Sequence, residues 1–348
     1  MVSALLENLL VKTDTLLERI FYQPHEQAPV SFSQYLTDPH KILLVAGENL
    51  AGFILSFQFI APLLEKFPGA EIWIVVRPEE ACLIGDHARV HQVSWGPRSL
   101  HTFDSQYRKN AALLREEGFD WAINLSFSGR PEALLTYQSA AKIRTGLNTL
   151  DNERYYNLIV KSIPPESGFL SQFGSLFRAL HVESPQQSIP TIHLTKGELN
   201  RGKQFVRQRK NPRSEGQFIG FIPEWRPGLK SVERLLQGII SRLIRQLDPM
   251  HLLIAGNLAP ADELRKMSEI SSYTFFFDDL RHMFSSLASC DRLITNSIGA
   301  AIALAGLGCN VELVVTDEKY LSRLAAEELE KIRIIRGEDG AEPLLQAI

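Results

Sequence analysis

The sequence predicts an α/β protein made of two consecutive doubly wound parallel sheets, each covered by helices on both faces. Short apolar segments alternate with longer helical segments from residue 41 to about residue 147, and the alternation restarts at residue 218. Continuous apolar runs such as "KILLV" and "EIWIVV" are typical of parallel strands, because such strands are buried on both faces. Two doubly wound halves imply a cleft between them, and open parallel sheets bind ligands at the carboxyl ends of their strands.

The individual elements follow in order along the chain. In the first half we predict helices at 53–66 and about 104–117, and strands at 41–46, 71–76, 90–95, 121–126 and 141–147. Residues 148–217 are rich in proline and are predicted to be mostly loop, closed by the basic helix "KGELNRGKQFVRQRKN". In the second half we predict helices at 231–247, 260–270, 279–289 and 299–306, between strands at 218–223, 251–257, 273–277, 291–296 and 311–316.

Ahead of the first sheet, residues 1–22 are predicted to form an amphipathic helix. Leu5, Leu9 and Ile20 belong to an apolar stripe that recurs at helical spacing between charged residues. The stripe either packs on the body of the protein or docks on a membrane surface or a protein partner. The polar face carries acids as well as Lys12 and Arg19, which favours packing over membrane binding. Residues 23–40 contain several prolines and are predicted to be a loop or linker.

Length and composition exclude several classes of protein. The 348 residues are enough for two domains with well-formed cores, and 45% hydrophobic with 22% charged residues is normal for a globular protein. A net charge of −3 gives no overall attraction to nucleic acid. Cys82, Cys290 and Cys309 form no CxxC or Cys/His pattern, so we expect no metal site, no disulfide framework and a reducing cytoplasm. We see no signal-peptide pattern and no apolar stretch of transmembrane length.

Four segments in order carry more information than any short motif. The first is Lys41-Ile42-Leu43-Leu44-Val45 with Leu50 and Phe67-Pro68 in step behind it. The others are "GFDWAINLSFSGRPEALLTYQSAAKIRTGL", "FIGFIPEWRPGLKSVERLLQGIISRL" and "SSLASCDRLITNSIGAAIALAGLG". In this order and spacing, from about residue 41 to about residue 315, they resemble glycosyltransferase family 9, the ADP-heptose:lipopolysaccharide heptosyltransferases.

The resemblance implies the GT-B fold, in which two Rossmann-like domains face a cleft. It implies an acceptor domain at 41–195 and a nucleotide-sugar domain at 196–348, after the helix and linker at 1–40. The implied activity is inverting, metal-independent transfer of a hexosyl or heptosyl group from a nucleotide-diphosphate sugar, for example ADP-heptose, without a cofactor. The implied acceptor is a bacterial lipopolysaccharide core, another glycan or a protein. The implied localisation is the cytoplasm, with peripheral association with the inner membrane if residues 1–22 touch it.

The turn "GENLAG" at 47–52 departs from the family pattern. In the family, the acid that ends this first loop is the general base on the acceptor hydroxyl. The matching position here is Gly52, which has no side chain to accept a proton. Glu48 in the same turn is the remaining candidate base, and the alternative is a carboxylate that is simply solvated.

The donor-side candidates lie in the second half. Lys230 matches the family lysine that contacts the donor phosphates; the alternative is an exposed lysine at a helix start. Asn296, Ser297 and Gly299 span a strand end, a turn and a helix start, which can present backbone N–H groups to a diphosphate. In that arrangement Ser297 caps the helix. The alternative is a helix of small residues that packs tightly on the sheet.

On the acceptor side, Asn124 and Arg130 follow the fourth predicted strand. Arg130 is placed to pair with a phosphate of an acidic acceptor, or else forms a surface salt bridge. The family's Asp and His fall on Ser297 and Ile302. These departures leave two main hypotheses: an active transferase with an altered sugar, acceptor or base, and a catalytically degenerate GT-B protein that acts as a binding or scaffolding subunit. An unrelated two-domain binding protein or an epimerase-like GT-B enzyme is a third.

Overall fold

The computed structural model describes residues 37–46, 50–85, 87–94, 105–126, 130–148, 152–161, 168–183, 189, 191–209, 217–224, 236–241, 243, 245, 252–258, 273–315 and 331–336. Glu48, Lys230 and the helices predicted at 1–22 and 260–270 lie outside these ranges. The chain divides into two compact units, Met1–Gln186 and Gln187–Ile348.

The first unit contains a six-stranded parallel sheet, which we call sheet A. Its strands are β1 (Lys41–Val45), β2 (Glu71–Val76), β3 (Val90–Ser94), β4 (Trp121–Asn124), β5 (Ile143–Leu147) and β6 (Leu158–Val160). They lie in the order β3-β2-β1-β4-β5-β6, which is the Rossmann order, and every pairing is parallel. The order reverses direction between β1 and β4.

Helices cover sheet A on both faces. The helices are α1 (Leu50–Ser56), α2 (Ile60–Lys66), α3 (Ser105–Glu117), α4 (Arg130–Gln138) and α5 (Gly168–Ala179), with 3-10 turns at Phe57–Phe59, Ala81–Ile84 and Glu153–Tyr155. Four consecutive residues of β1, 42–45, are at most 1% exposed. Since neighbouring side chains point to opposite faces, such a run needs cover on both. Residues of α3 and α4 form the core with Leu43 and Val45 on one of these faces.

The second unit repeats this architecture in a second parallel sheet, sheet B. Its strands are β7 (Ile219–Ile222), β8 (Leu252–Ala255), β9 (Thr274–Phe275), β10 (Arg292–Thr295), β11 (Val311–Val315) and β12 (Ile332–Arg336). The order β12-β11-β10-β7-β8-β9 is the same Rossmann order, with its reversal between β7 and β10. The labelled helices are α6 (Lys196–Arg209), α7 (Leu280–Leu287) and α8 (Ile298–Gly306), beside helical residues 236–241 and a 3-10 turn at Gly256–Leu258.

Three parts of the sequence prediction need correction. The stretch 148–217, predicted as mostly loop before its basic helix, also contains β6 and α5. Helix α5 was missed because the prolines on either side of it predicted a loop. Its Phe177 is fully buried and stacks on Phe59 with ring centroids 3.9 Å apart. Strand β12 was also missed. The helix predicted at 53–66 begins earlier, at Leu50, and is interrupted by a 3-10 turn.

Candidate functional site

Each sheet reverses its strand order once, and this point marks where a ligand is expected to bind. In open α/β sheets, ligands bind outside the carboxyl ends of the strands, in the crevice where the order reverses. In sheet A that crevice is flanked by the loops after β1 and β4. In sheet B it is flanked by the loops after β7 and β10. We call these two places the A edge and the B edge.

At the B edge, Asn296 ties the two flanking loops together. It follows β10, and its Oδ1 accepts a hydrogen bond from the backbone N–H of Glu224 at 2.7 Å. Its Nδ2 donates to the carbonyl oxygen of Glu224 at 2.8 Å. Glu224 stands just after β7, so one side-chain amide joins the two strands that border the crevice. An amide has two donor hydrogens and two acceptor lone pairs, so Asn296 keeps capacity for one further bond of each kind.

Ser297 forms the N-terminal cap of α8, as its sequence position predicts. Its Oγ accepts from the N–H of Ala300 at 3.3 Å, and its own N–H donates to Oγ1 of Thr295 at 2.9 Å. Thr295 in turn donates from Oγ1 to the carbonyl oxygen of Ile222 at 2.7 Å. This chain of bonds fixes the start of α8 against the ends of β10 and β7.

The cap leaves two helix amides for an anion. The first N–H groups of a helix have no intrahelical acceptor and carry the positive end of the helix dipole. Ala300 and Ala301 bond to Ser297, whereas the structure gives the N–H groups of Ile298 and Gly299 no acceptor among the described residues. Gly299 is buried within α8. The B edge therefore combines an amide clip and a helix N-terminus, a combination suited to a phosphate group.

At the A edge, Asn124 is buried and bonded to a tyrosine. It is the last residue of β4, is 1% exposed, and donates from Nδ2 to Oη of Tyr156 at 2.6 Å. Its Oδ1 accepts from the N–H of Ser126 at 2.8 Å. Gly146 in β5 makes room for the ring, since a Cβ there would lie 2.7 Å from Cε2 of Tyr156. The predicted acceptor-side amide is thus engaged within the unit.

Burial keeps the phenol of Tyr156 in its neutral, protonated form. Desolvation raises the pKa of Tyr156 far above its ordinary value, and the charge of Glu132 raises it further, against the hydrogen bond from Asn124. Glu132 lies in the first turn of α4 and is 6% exposed. The sequence analysis singled out neither residue. Gly146 was the available signal, because a glycine inside a strand marks a close approach of another group.

The remaining predicted site residues are less fully described. Glu48 and Lys230 lie outside the described residues, and of Arg130 only its place as the first residue of α4 is described. Gly52 falls in the first turn of α1, so the last three residues of "GENLAG" are helical. Among the described residues, no three His, Cys, Asp or Glu side chains come together to hold a metal ion. Within the same ranges, every helix is too short or too polar to cross a lipid bilayer.

Solved glycosyltransferases share this arrangement of strands and helices. A glycosyl transferase family 9 structure from Veillonella parvula matches with a TM-score of 0.61 at 14% identity, over 89% of this chain and 90% of that chain. The fold is that of the GT-B glycosyltransferases. The E. coli ADP-heptose LPS heptosyltransferase II gives 0.59 at 16% identity, over 88% and 96% of the two chains. The E. coli heptosyltransferase WaaC with ADP gives 0.59 at 15%, over 88% and 98%.

No protein-family model and no curated protein sequence matches the chain. At these identities the likeness concerns the fold. The predicted fold class, two Rossmann-like parallel sheets of the GT-B kind, is therefore confirmed, and so is the resemblance to glycosyltransferase family 9 at the level of fold. What the chain binds and which reaction it performs are argued next.

Proposed function

We propose that this protein is a heptosyltransferase-like glycosyltransferase that transfers a sugar from a nucleotide-diphosphate donor. The observation that carries the proposal is the B edge, where the amides of Ile298 and Gly299, which have no acceptor among the described residues, stand beside the Asn296 clip at the reversal of sheet B. Backbone amides of a helix start bind phosphate without needing a particular side chain. WaaC, a structure of similar fold, was solved with ADP.

In this proposal the diphosphate is both the binding handle and the leaving group. Cleavage of the sugar–phosphate bond leaves negative charge on the nucleoside diphosphate, and donors fixed in advance stabilise that charge as it develops. The helix amides supply one part of this stabilisation. Lys230, which follows β7 in the sequence, supplies a positive charge, which makes a metal ion unnecessary for the step.

The acceptor hydroxyl must lose its proton, and Gly52 offers no base. We assign that role to Glu48, which follows β1 in the sequence. Arg130 contacts a phosphate on the acceptor, which is a lipopolysaccharide core, another glycan or a protein. The transfer reaction takes place in the cytoplasm of a bacterial cell, and residues 1–22 supply a peripheral contact with the inner membrane or a partner.

A specific observation favours a second function, binding without transfer. Three family positions are occupied here by groups that do no acid–base chemistry at the site: Gly52 is helical, the hydroxyl of Ser297 serves as a helix cap, and Ile302 is buried. Asn124 is likewise engaged with Tyr156. In this alternative the protein keeps the fold and acts as a binding or scaffolding subunit.

Calorimetric titration with ADP, UDP and GDP, each with and without its sugar, measures donor binding and so distinguishes the transferase from the scaffolding protein. We expect one diphosphate to bind. Lys230→Ala should weaken that binding by about 1.5–3 kcal/mol, the usual worth of a hydrogen bond to a charged group. Lys161→Ala removes an exposed lysine of the first unit and is the matched control. Absence of binding at millimolar concentration would contradict the proposed donor site and favour the scaffolding function.

A sugar-transfer assay with the diphosphate that binds then tests the base. Glu48→Gln should lower the rate by roughly 10²–10⁴, the usual contribution of a general base. Glu132→Gln is its matched control, since Glu132 is a buried carboxylate of the same unit. A transferase inactivated by the Glu132 change and unaffected by the Glu48 change would show that the base is assigned to the wrong residue.

A further inference from the structure

Helix α6 carries an exposed row of positive charges. Lys196, Lys203 and Arg207 are separated by seven and four residues, so they fall on one side of a helix that turns every 3.6 residues. All three side chains are exposed. None of the three forms an ion pair with a described residue. We call these three residues the cationic row.

The one acid of α6 faces away from the cationic row. Glu198 forms a two-point ion pair with Arg281 of α7, Nε to Oε1 at 2.6 Å and Nη2 to Oε2 at 2.8 Å. Its Oε2 also accepts from the N–H and the hydroxyl of Thr195, at 2.6 and 2.7 Å. The hydrogen bonds from Arg281 are the main cause that lowers the pKa of Glu198 to about 2. The carboxylate is therefore neutralised within the unit and does not offset the charge of the row.

Close packing holds the helix in this orientation. Gly202 lies against α7, where a Cβ would stand 2.7 Å from the backbone nitrogen of Ser286. Near the end of the helix, the guanidinium of Arg209 lies 4.7 Å from the ring centre of Phe205 and 4.8 Å from that of Phe275. One side of α6 thus packs against the rest of the unit, and this packing fixes the cationic row on the exposed side.

We propose that the cationic row of α6 docks this protein on a membrane surface rich in anionic phospholipid. A row of like charges along one exposed side of a helix matches a plane of negative headgroups, where each nearby Lys or Arg raises the binding affinity about fivefold. Single-stranded nucleic acid is the less suitable partner, because its binding without base readout usually adds exposed aromatic rings on which the bases stack. On α6 the aromatic residue, Phe205, is half-buried in a cluster with Phe275 and Phe277.

The docking gives the proposed transferase access to a lipid-linked acceptor, and in that respect it rests on the proposed function. The physical interaction itself depends on the charges of α6 alone. It is also separate from residues 1–22, whose predicted amphipathic helix would add a second contact. Two weak membrane signals together give stable anchoring where one gives only reversible binding.

The test is co-sedimentation of the full-length protein with vesicles at low ionic strength, without nucleotide. The vesicles are phosphatidylcholine alone or phosphatidylcholine with phosphatidylglycerol. The variant K196Q/K203Q/R207Q removes the row, and K109Q/R115Q/K161Q removes two lysines and one arginine that are exposed in the first unit. We expect binding to the anionic vesicles only, a loss on the order of 100-fold in the row variant from about fivefold per charge, and a much smaller loss in the control.

Equal losses in the two triple variants would overturn the proposal, because the effect would then follow net charge and not the row. Absence of binding to anionic vesicles would overturn it as well. A parallel titration with a fluorescent single-stranded RNA tests nucleic acid as the alternative partner. RNA binding that depends on the row, without vesicle binding, would show that the partner is nucleic acid and would overturn the proposal. Lys230→Ala should bind vesicles as the wild type does, so failure of the donor site and failure of docking are separate results.

Discussion

The A edge and the B edge occupy equivalent places in two sheets of the same strand order, yet their chemistry differs. At the A edge the amide at the end of β4 is engaged by another side chain of the unit: Tyr156 packs over Gly146 and accepts a hydrogen bond from Asn124. At the B edge an asparagine bonds to the backbone, and two helix amides have no acceptor within the part of the chain that the structure describes. The comparison shows that a shared topology fixes where a ligand can bind, while a few side chains decide which polar groups remain there to bind it.

The largest effect is expected from Gly146→Ala, which tests how tightly the A edge is filled. The added Cβ would lie 2.7 Å from Cε2 of Tyr156, well inside van der Waals contact, and overpacking of this kind costs about 3 kcal/mol. Gly69→Ala is the control, because a Cβ there has no neighbour within 4 Å. Urea unfolding of both variants gives the free energies. Equal midpoints would mean that the ring of Tyr156 has room to move away from an added Cβ.

A pair of asparagine variants tests the difference between the edges directly. Asn296→Ala removes both bonds to Glu224, and we expect a loss of about 2 kcal/mol in unfolding free energy together with at least tenfold weaker binding of the diphosphate. Asn124→Ala should cost similar stability without changing diphosphate affinity. The readouts are urea unfolding and calorimetry. Equal diphosphate affinities in the two variants would contradict a diphosphate site at the B edge.

Acid should weaken the second unit through Glu198. The pKa of this carboxyl is lowered from 4.5 to about 2 in the folded protein, mainly by Arg281. A lowered folded pKa stabilises the protein above the unfolded pKa, so the contribution is complete above about pH 5 and is lost as the pH falls towards 2. After discounting for solvent screening, we expect about 1–2 kcal/mol.

The measurement is the unfolding free energy of the wild type and of Glu198→Gln as a function of pH. The variant should be less stable near neutral pH and should lose less stability on acidification. Parallel pH curves for the two proteins would show that the ion pair with Arg281 does not stabilise the folded state.

The smallest effect is expected from Ser297→Ala at the start of α8. Loss of the hydroxyl that accepts from Ala300 should cost about 1 kcal/mol, whereas Ser297→Gly should cost only a few tenths. Thermal unfolding of the two variants provides the measurement. If alanine and glycine proved equivalent to serine, the cap would be redundant and the Thr295 bond would be what fixes the helix start.

Much of the fold followed from local pattern. The apolar runs of β1 and β2 predicted buried parallel strands because such runs can be covered only by helices on both faces. Element ends were less accurate, and α5 was missed because proline-rich flanks outweighed its apolar periodicity. The N-cap at Ser297 was predictable, since a serine before an apolar helix is a local signal with a local hydrogen bond.

By itself, then, the sequence determined the two parallel sheets and the residues that would stand at their carboxyl edges. The tertiary structure alone decided what those residues do there. Asn124 meets Tyr156 across 32 residues of sequence, Asn296 meets Glu224 across 72, and Glu198 meets Arg281 across 83. Strand and helix periodicities describe neighbours within a few positions, whereas a hydrogen bond between distant residues exists only once the fold has brought both groups to the same place.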